Sequence, residues 1–105
     1  HDSSALSAPA KARLDELAAT LQRDRPGAKV VVEAHTDNAR SHAHNATLAK
    51  AQAEAVAAYL AKKGIPNARA EGVGDLRPLA SNSTAEGRVT NRRIEVVIYP
   101  EVMRR

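Results

Sequence analysis

Asp37 is the first residue of this chain with a claim to binding chemistry. It follows the run Lys29-Val-Val-Val-Glu-Ala-His35, where β-branched residues favour a pleated, partly buried strand. Side chains alternate along such a strand, so Val30, Val32 and Ala34 share one face and Val31, Glu33 and His35 the other. After His35 the apolar pattern stops, and Thr36, Asp37, Asn38, Arg40 and Ser41 form a polar loop. A carboxylate leaving a strand on such a loop stands at a rim, where ligands commonly bind. The plainer role is a turn aspartate bonding its own backbone. Gln52 is the second candidate, a polar side chain on the apolar stripe of a helix, between Leu48 and Val56. A polar group there needs a partner at the helix's inner edge, and Gln52 can face the Asp37 loop. His35, His42 and His44 raise the chemistry of zinc. His42 and His44 sit on a loop and His35 in the strand, so no metal or other cofactor is expected. No nucleophile, base and orienting group come together, and the chain does not read as an enzyme.

The elements that must position these residues are legible from periodicity. Residues 8–25 form an amphipathic helix with Leu14, Leu17, Ala18 and Leu21 on one stripe, Ser7 as N-cap and Pro9 in the first turn. Pro26-Gly27 ends it before the valine strand. A second helix is expected over Ala46–Lys63, with Asn45 as N-cap, Gly64 at the left-handed C′ position, and Leu48, Ala55, Val56, Tyr59 and Leu60 inward. A short third strand follows at Ala68–Val73. About twenty residues then separate it from the strand Ile94–Tyr99, a gap long enough to hold a short helix within residues 84–91. The strands are Val30–His35, Ala68–Val73 and Ile94–Tyr99, with a remnant of another before Ser7.

The chain has 105 residues, enough for one domain with one core, here taken as 1–105 with 100–105 as a tail. It has no cysteine, so neither a disulfide framework nor a thiolate metal site is available. No apolar run approaches the ~20 residues of a membrane span, and no signal peptide is visible. The net charge of +4 divides unevenly: 7 basic and 6 acidic residues over 1–52, then 9 basic and 6 acidic over 53–105. That balance permits an anionic partner without requiring one. Tyr59 and Tyr99 are the only aromatics. Nucleic-acid binding is therefore not expected, because single strands are usually held on aromatic platforms.

Taken together, the run Val32-Glu-Ala-His-Thr-Asp-Asn38, then Asn45-x-x-Leu48, Val56-x-x-x-Leu60-x-x-x-Gly64-Ile65, Gly72-x-Gly74, Pro78, Asn82 and Glu86-Gly-Arg88-x-x-Asn91-Arg92-Arg93-Ile94-Glu95 resembles the OmpA-like C-terminal domain family. The resemblance covers nearly the whole chain, from Asp2 to Val97. It implies an α/β two-layer sandwich of βαβαββ type: a small mixed sheet, two long helices on one face, and a short helix before the last strand. It also implies non-covalent binding of peptidoglycan through the diaminopimelate of its stem peptide. This would anchor an outer-membrane or other envelope protein to the wall from the periplasm. The tether to the membrane would lie outside these residues, which themselves make no membrane contact.

In that pattern Asp37 of the Thr36-Asp37 loop takes the ligand's ammonium, Thr36 being among the ligand-binding residues, and Asn45 and the Asn91-Arg92-Arg93 segment help at the carboxylate. An arginine in the second helix takes the carboxylate. A zwitterion is best specified by an acid and a guanidinium a fixed distance apart. This chain departs from the pattern at three positions: Gln52 stands where the helix has arginine, Ala49 where it has serine, and Arg40 where the loop has glycine. Gln52 still donates a neutral hydrogen bond, and Arg40, Arg88 and Arg92 are the candidates for a compensating charge. If none of them replaces the lost charge, the outcome the sequence favours, Gln52→Arg should strengthen diaminopimelate binding by ~1.5 kcal/mol or more; if Arg40 or Arg92 already reaches in, the added arginine should be neutral or harmful. The alternative is an envelope protein-interaction domain of the same fold with lost or altered wall binding. A homodimer or another envelope protein would then be its partner.

Overall fold

The computed structural model describes residues 6–99 as α1 (Ala8–Asp24), β1 (Lys29–His35), α2 (His42–Lys62), β2 (Arg69–Gly74), α3 (Ala85–Asn91) and β3 (Arg93–Tyr99). The expected N-terminal strand remnant and the 100–105 tail lie outside the described residues. The sheet has the order β2-β1-β3, with β1 parallel to β2 and antiparallel to β3. It is mixed, as expected, and the valine strand is its centre.

Register explains how one alternation serves two strands. Val30, Val32 and Ala34 stand opposite Ile98, Val96 and Ile94, so their shared face meets the helices. Against it pack Leu14, Ala18 and Leu21 of α1 and Ala49, Ala53, Val56 and Leu60 of α2. Val32 and Leu60 are fully enclosed, and each such burial stabilises the fold by roughly 1.5–3 kcal/mol. α1 starts where expected, with Ser7 Oγ accepting from the Ala10 amide at 3.2 Å, and stops one residue early at Asp24.

α2 departs from expectation at its start. It begins at His42, capped by Ser41, whose Oγ accepts from the His44 amide at 3.1 Å. A serine hydroxyl in extended backbone ahead of the first turn takes over the cap. Asn45 is thus inside the helix and buried. The inward face also shifts: Asn45, Ala49, Ala53, Val56 and Leu60 are buried, whereas Leu48 and Ala55 are half-buried. Gly72 supplies the reason. A Cβ there would fall 2.4 Å from the Lys50 amide nitrogen, so helix and strand backbones touch and only small residues fit between them. The C-terminus closes as expected on Gly64, at φ 97°, with Gly64 N–H donating to Ala61 and Ile65 N–H to Leu60.

β2 runs one residue later than expected. Its register slips where His35 pairs with Gly74 instead of Val73, a bulge next to the polar loop. Bulges redirect the strand end they interrupt. Here Thr36 N–H reaches past the slip to the Gly74 carbonyl at 2.8 Å, which turns the loop out over the start of α2. The short helix falls where expected, with Thr84 capping Gly87 at 2.9 Å.

Candidate functional site

The end of β1, the start of α2 and the junction of α3 with β3 enclose a groove of about 570 Å³. Thr36, Asp37, Arg40, Asn45, Gln52 and Arg92 all line it, together with Leu48, Val89 and Ile94. Of the residues expected at the ligand, Asn91 is not part of the wall, and neither is Arg88. Its guanidinium donates to the Asn82 carbonyl at 3.1 Å.

Asp37 makes the turn bond expected of it and also meets a guanidinium. Its Oδ1 accepts from the Ala39 amide at 3.0 Å, the turn bond of the plain reading. Its Oδ2 accepts from Arg92 Nη1 at 2.5 Å. Although Asp37 is only 7% exposed, it stays ionised. Burial works against its charge. The Ala39 amide, then the Arg92 hydrogen bond and charge, then the charge of Arg88 outweigh burial and hold the carboxyl below its ordinary 3.8. Thr36 Oγ1 donates to the Asp37 carbonyl at 2.8 Å and so fixes the loop.

Asn45 acts on the loop from beneath. Its Nδ2 donates to the Arg40 carbonyl at 3.0 Å and lies 3.4 Å from Asp75 Oδ2, while Asp75 also holds His42 Nδ1 at 2.8 Å. Asp75 drew no attention in the sequence, because nothing around it marks it as a partner of a helix start thirty residues earlier. Asn91, expected to assist at the ligand, faces away from the groove. Its Oδ1 accepts from the Leu79 and Ala80 amides and its Nδ2 donates to the Ala80 carbonyl and Asn82 Oδ1. Asn91 therefore holds the loop before α3, and through it the position of Arg92.

The three histidines do not converge. Among the described residues the one group with metal-ligating spacing is Glu33, His35 and Glu95, whose ligand atoms lie within 4.8 Å of one another on the sheet face opposite the helices. Both carboxylates there already face guanidiniums: Arg93 Nε is 2.5 Å from Glu95 Oε2 and Arg77 Nη2 is 3.6 Å from Glu33 Oε1. The group is an ion-pair network beneath the groove. Strand alternation could have placed Glu33 beside His35, but their meeting with Glu95 and Arg93 needed the β1–β3 register.

Comparison with known proteins bears on this geometry. The sequence profile of the OmpA family matches residues 1–92. The probable lipoprotein YiaD of Escherichia coli is 37% identical over 100 residues, covering 93% of this chain and 46% of that protein. The peptidoglycan-binding protein ArfA of Mycobacterium tuberculosis is 40% identical over 75 residues, covering 70% of this chain and 23% of ArfA. The chain thus spans less than half the length of these relatives. Among solved structures, the cell wall anchor of the T6SS from Pseudomonas aeruginosa superposes with a TM-score of 0.84 at 30% identity, covering 95% of this chain and 73% of that one. The peptidoglycan-associated lipoprotein of Burkholderia pseudomallei gives 0.84 at 25% identity, covering 92% and 83%.

Proposed function

The chain belongs to the OmpA family, and from that premise we propose that it binds peptidoglycan and serves as a cell-wall anchor in the bacterial envelope. Relatives named for wall binding or wall anchoring support the reading. So does the chemistry of the groove, and one observation carries it: an ionised acid and a guanidinium, Asp37 and Arg92, paired on one wall. The remaining polar lining is neutral at Thr36, Asn45 and Gln52 and basic at Arg40 and Arg93, with the imidazole of His35 beside them. Leu48, Val89 and Ile94 add an apolar wall suited to an aliphatic arm.

The ligand within the wall is then the zwitterionic end of diaminopimelate. Its ammonium approaches Asp37, and Arg92 turns part of its fork to the carboxylate that the family's helix arginine would take. A guanidinium has five donors, so bonding to Asp37 through one nitrogen leaves others for a ligand. Gln52 contributes a neutral contact. The domain works in the periplasm as part of an outer-membrane or other envelope protein. No helix among the described residues is long and apolar enough to cross a membrane. The competing reading is an envelope protein-interaction module, favoured by the neutral Gln52 on the groove wall. Calorimetric titration with diaminopimelate tests the ligand: saturable binding supports it, and heats equal to dilution overturn it.

A further inference from the structure

His35 is 3% exposed, and neither ring nitrogen has a hydrogen-bond partner. Its Nε2 comes within 3.4 Å of Glu33 Oε1, close in distance but without hydrogen-bond alignment. The charged groups around it come from every neighbouring segment. Glu33 shares its strand, Arg93 and Glu95 lie on β3, and Arg77 reaches Glu33 from the connection after β2. Glu71, the register partner of Glu33 on β2, is engaged by Arg69 at 3.0 Å. The network at His35 is balanced, two carboxylates against two guanidiniums.

The position of His35 matters more than its burial. It is the register partner of Arg93 across β1 and β3. Two residues after His35 comes Asp37, and one residue before Arg93 comes Arg92. The pair that closes the groove is thus carried on the two strand ends that His35 and Arg93 join. We propose that His35 is a positioning residue: its neutral ring seats Arg93 and thereby the Asp37–Arg92 pair, and a proton on the ring loosens that pair and weakens ligand binding. A protonated ring would be a third cation among two carboxylates. It would compete with Arg93 for Glu95 and with Arg77 for Glu33, and the β3 end would have to shift. Burial first, and the charge of Arg93 second, already hold the ring's pKa below its ordinary 6.5 against the pull of Glu33 and Glu95. The site therefore keeps its neutral form at neutral pH and meets the proton in acid surroundings.

The coupling can be read in the ligand-free protein, so it does not depend on the wall-binding reading. Carbon-detected NMR follows the Asp37 carboxyl and the His35 ring from about pH 7.5 to about pH 5, the range of histidine titration. Asp37's own proton binds below that range. The Asp37 signal should move with the midpoint of the His35 ring in wild type and stay flat in H35Q. A flat Asp37 signal while the ring titrates, an equal movement in H35Q, or a ring neutral throughout each overturns the proposal. If H35Q does not fold, agreement or disagreement of the two wild-type midpoints decides alone. Pelleting with purified sacculi adds the functional arm, which rests on the wall-binding reading. Wild-type affinity should fall by up to roughly tenfold per pH unit below the midpoint, with the acid-to-neutral ratio restored in H35Q. A protein that never pellets while Asp37 still follows His35 sinks the wall-binding reading and leaves the coupling standing. One that pellets equally at both pH values overturns the claim that the proton weakens ligand binding.

Discussion

Arg92 reaches Asp37 across 55 residues of chain and binds its Oδ2 through Nη1. The acid of one loop and the cation of another thus meet before any ligand arrives. A ligand ammonium must share Asp37 with a guanidinium or displace it, and a displaced guanidinium is free to meet the ligand's carboxylate.

Arg92→Ala should therefore weaken diaminopimelate binding although it uncovers Asp37. The loss of one charge-assisted contact corresponds to ~1.5–3 kcal/mol, about ten- to a hundred-fold in affinity. Calorimetry would show it. An affinity increase would mean that Arg92 only competes with the ligand.

Gln52→Arg tests the same point from the other wall. The sequence alone points to a gain, because Gln52 stands where an arginine is usual. With Arg92 already in the groove, a second guanidinium adds like-charge repulsion. Unchanged or weaker binding is expected in the same titration. A gain of tenfold or more, ~1.4 kcal/mol, would show that Arg92 does not serve the carboxylate.

Much of this arrangement was legible from residue types. The valine run, the Ser7 cap, the Gly64 stop and the hidden helix each follow from local chemistry, and they stand in the structure. The start of α2 was not, because Asn45 and Ser41 are both good caps and only packing decides between them. Neither was the inner face of α2, where the close approach of Gly72 favours alanines over the larger Leu48. Of the groove, Asp37 and Gln52 could be found by position. Arg92 came from family resemblance, and its hold on Asp37 from the fold alone. Asp75 and the Glu33–His35–Glu95 network needed contacts between distant segments, which no local pattern encodes.

Gly72→Ala should destabilise the domain by ~1–3 kcal/mol, an overpacking cost. The added methyl meets the Lys50 amide nitrogen and Cα at 2.4 and 2.6 Å, and backbone cannot swing aside as a side chain would. Urea unfolding should show a lower midpoint. An unchanged midpoint would mean that α2 slides off β2 without cost.

Stability should fall in mildly acid solution because of His35. Its native pKa is below the 6.5 of the unfolded chain, so between those values the unfolded state binds more protons. The contribution is complete above pH 6.5, declines as pH falls through the native value, and is flat below it. Asp37 and Glu95, held below 3.8 and 4.5, lose their own contributions only at lower pH. Thermal melts should show the upper decline in wild type and not in H35Q. Equal slopes in both would assign it elsewhere.

The central claim is that Asp37 in this groove holds the cell wall. Its side chain lies in a loop that Thr36 and Asn45 also fix, and the Arg92 that it leaves behind is partly exposed to water. Asp37→Ala should therefore keep the fold while removing the ammonium's partner. Co-sedimentation with purified sacculi measures this directly, with circular dichroism as the control for folding. Wild type should pellet with the sacculi, and folded Asp37→Ala should remain in the supernatant. A folded Asp37→Ala that pellets as wild type does would contradict the account.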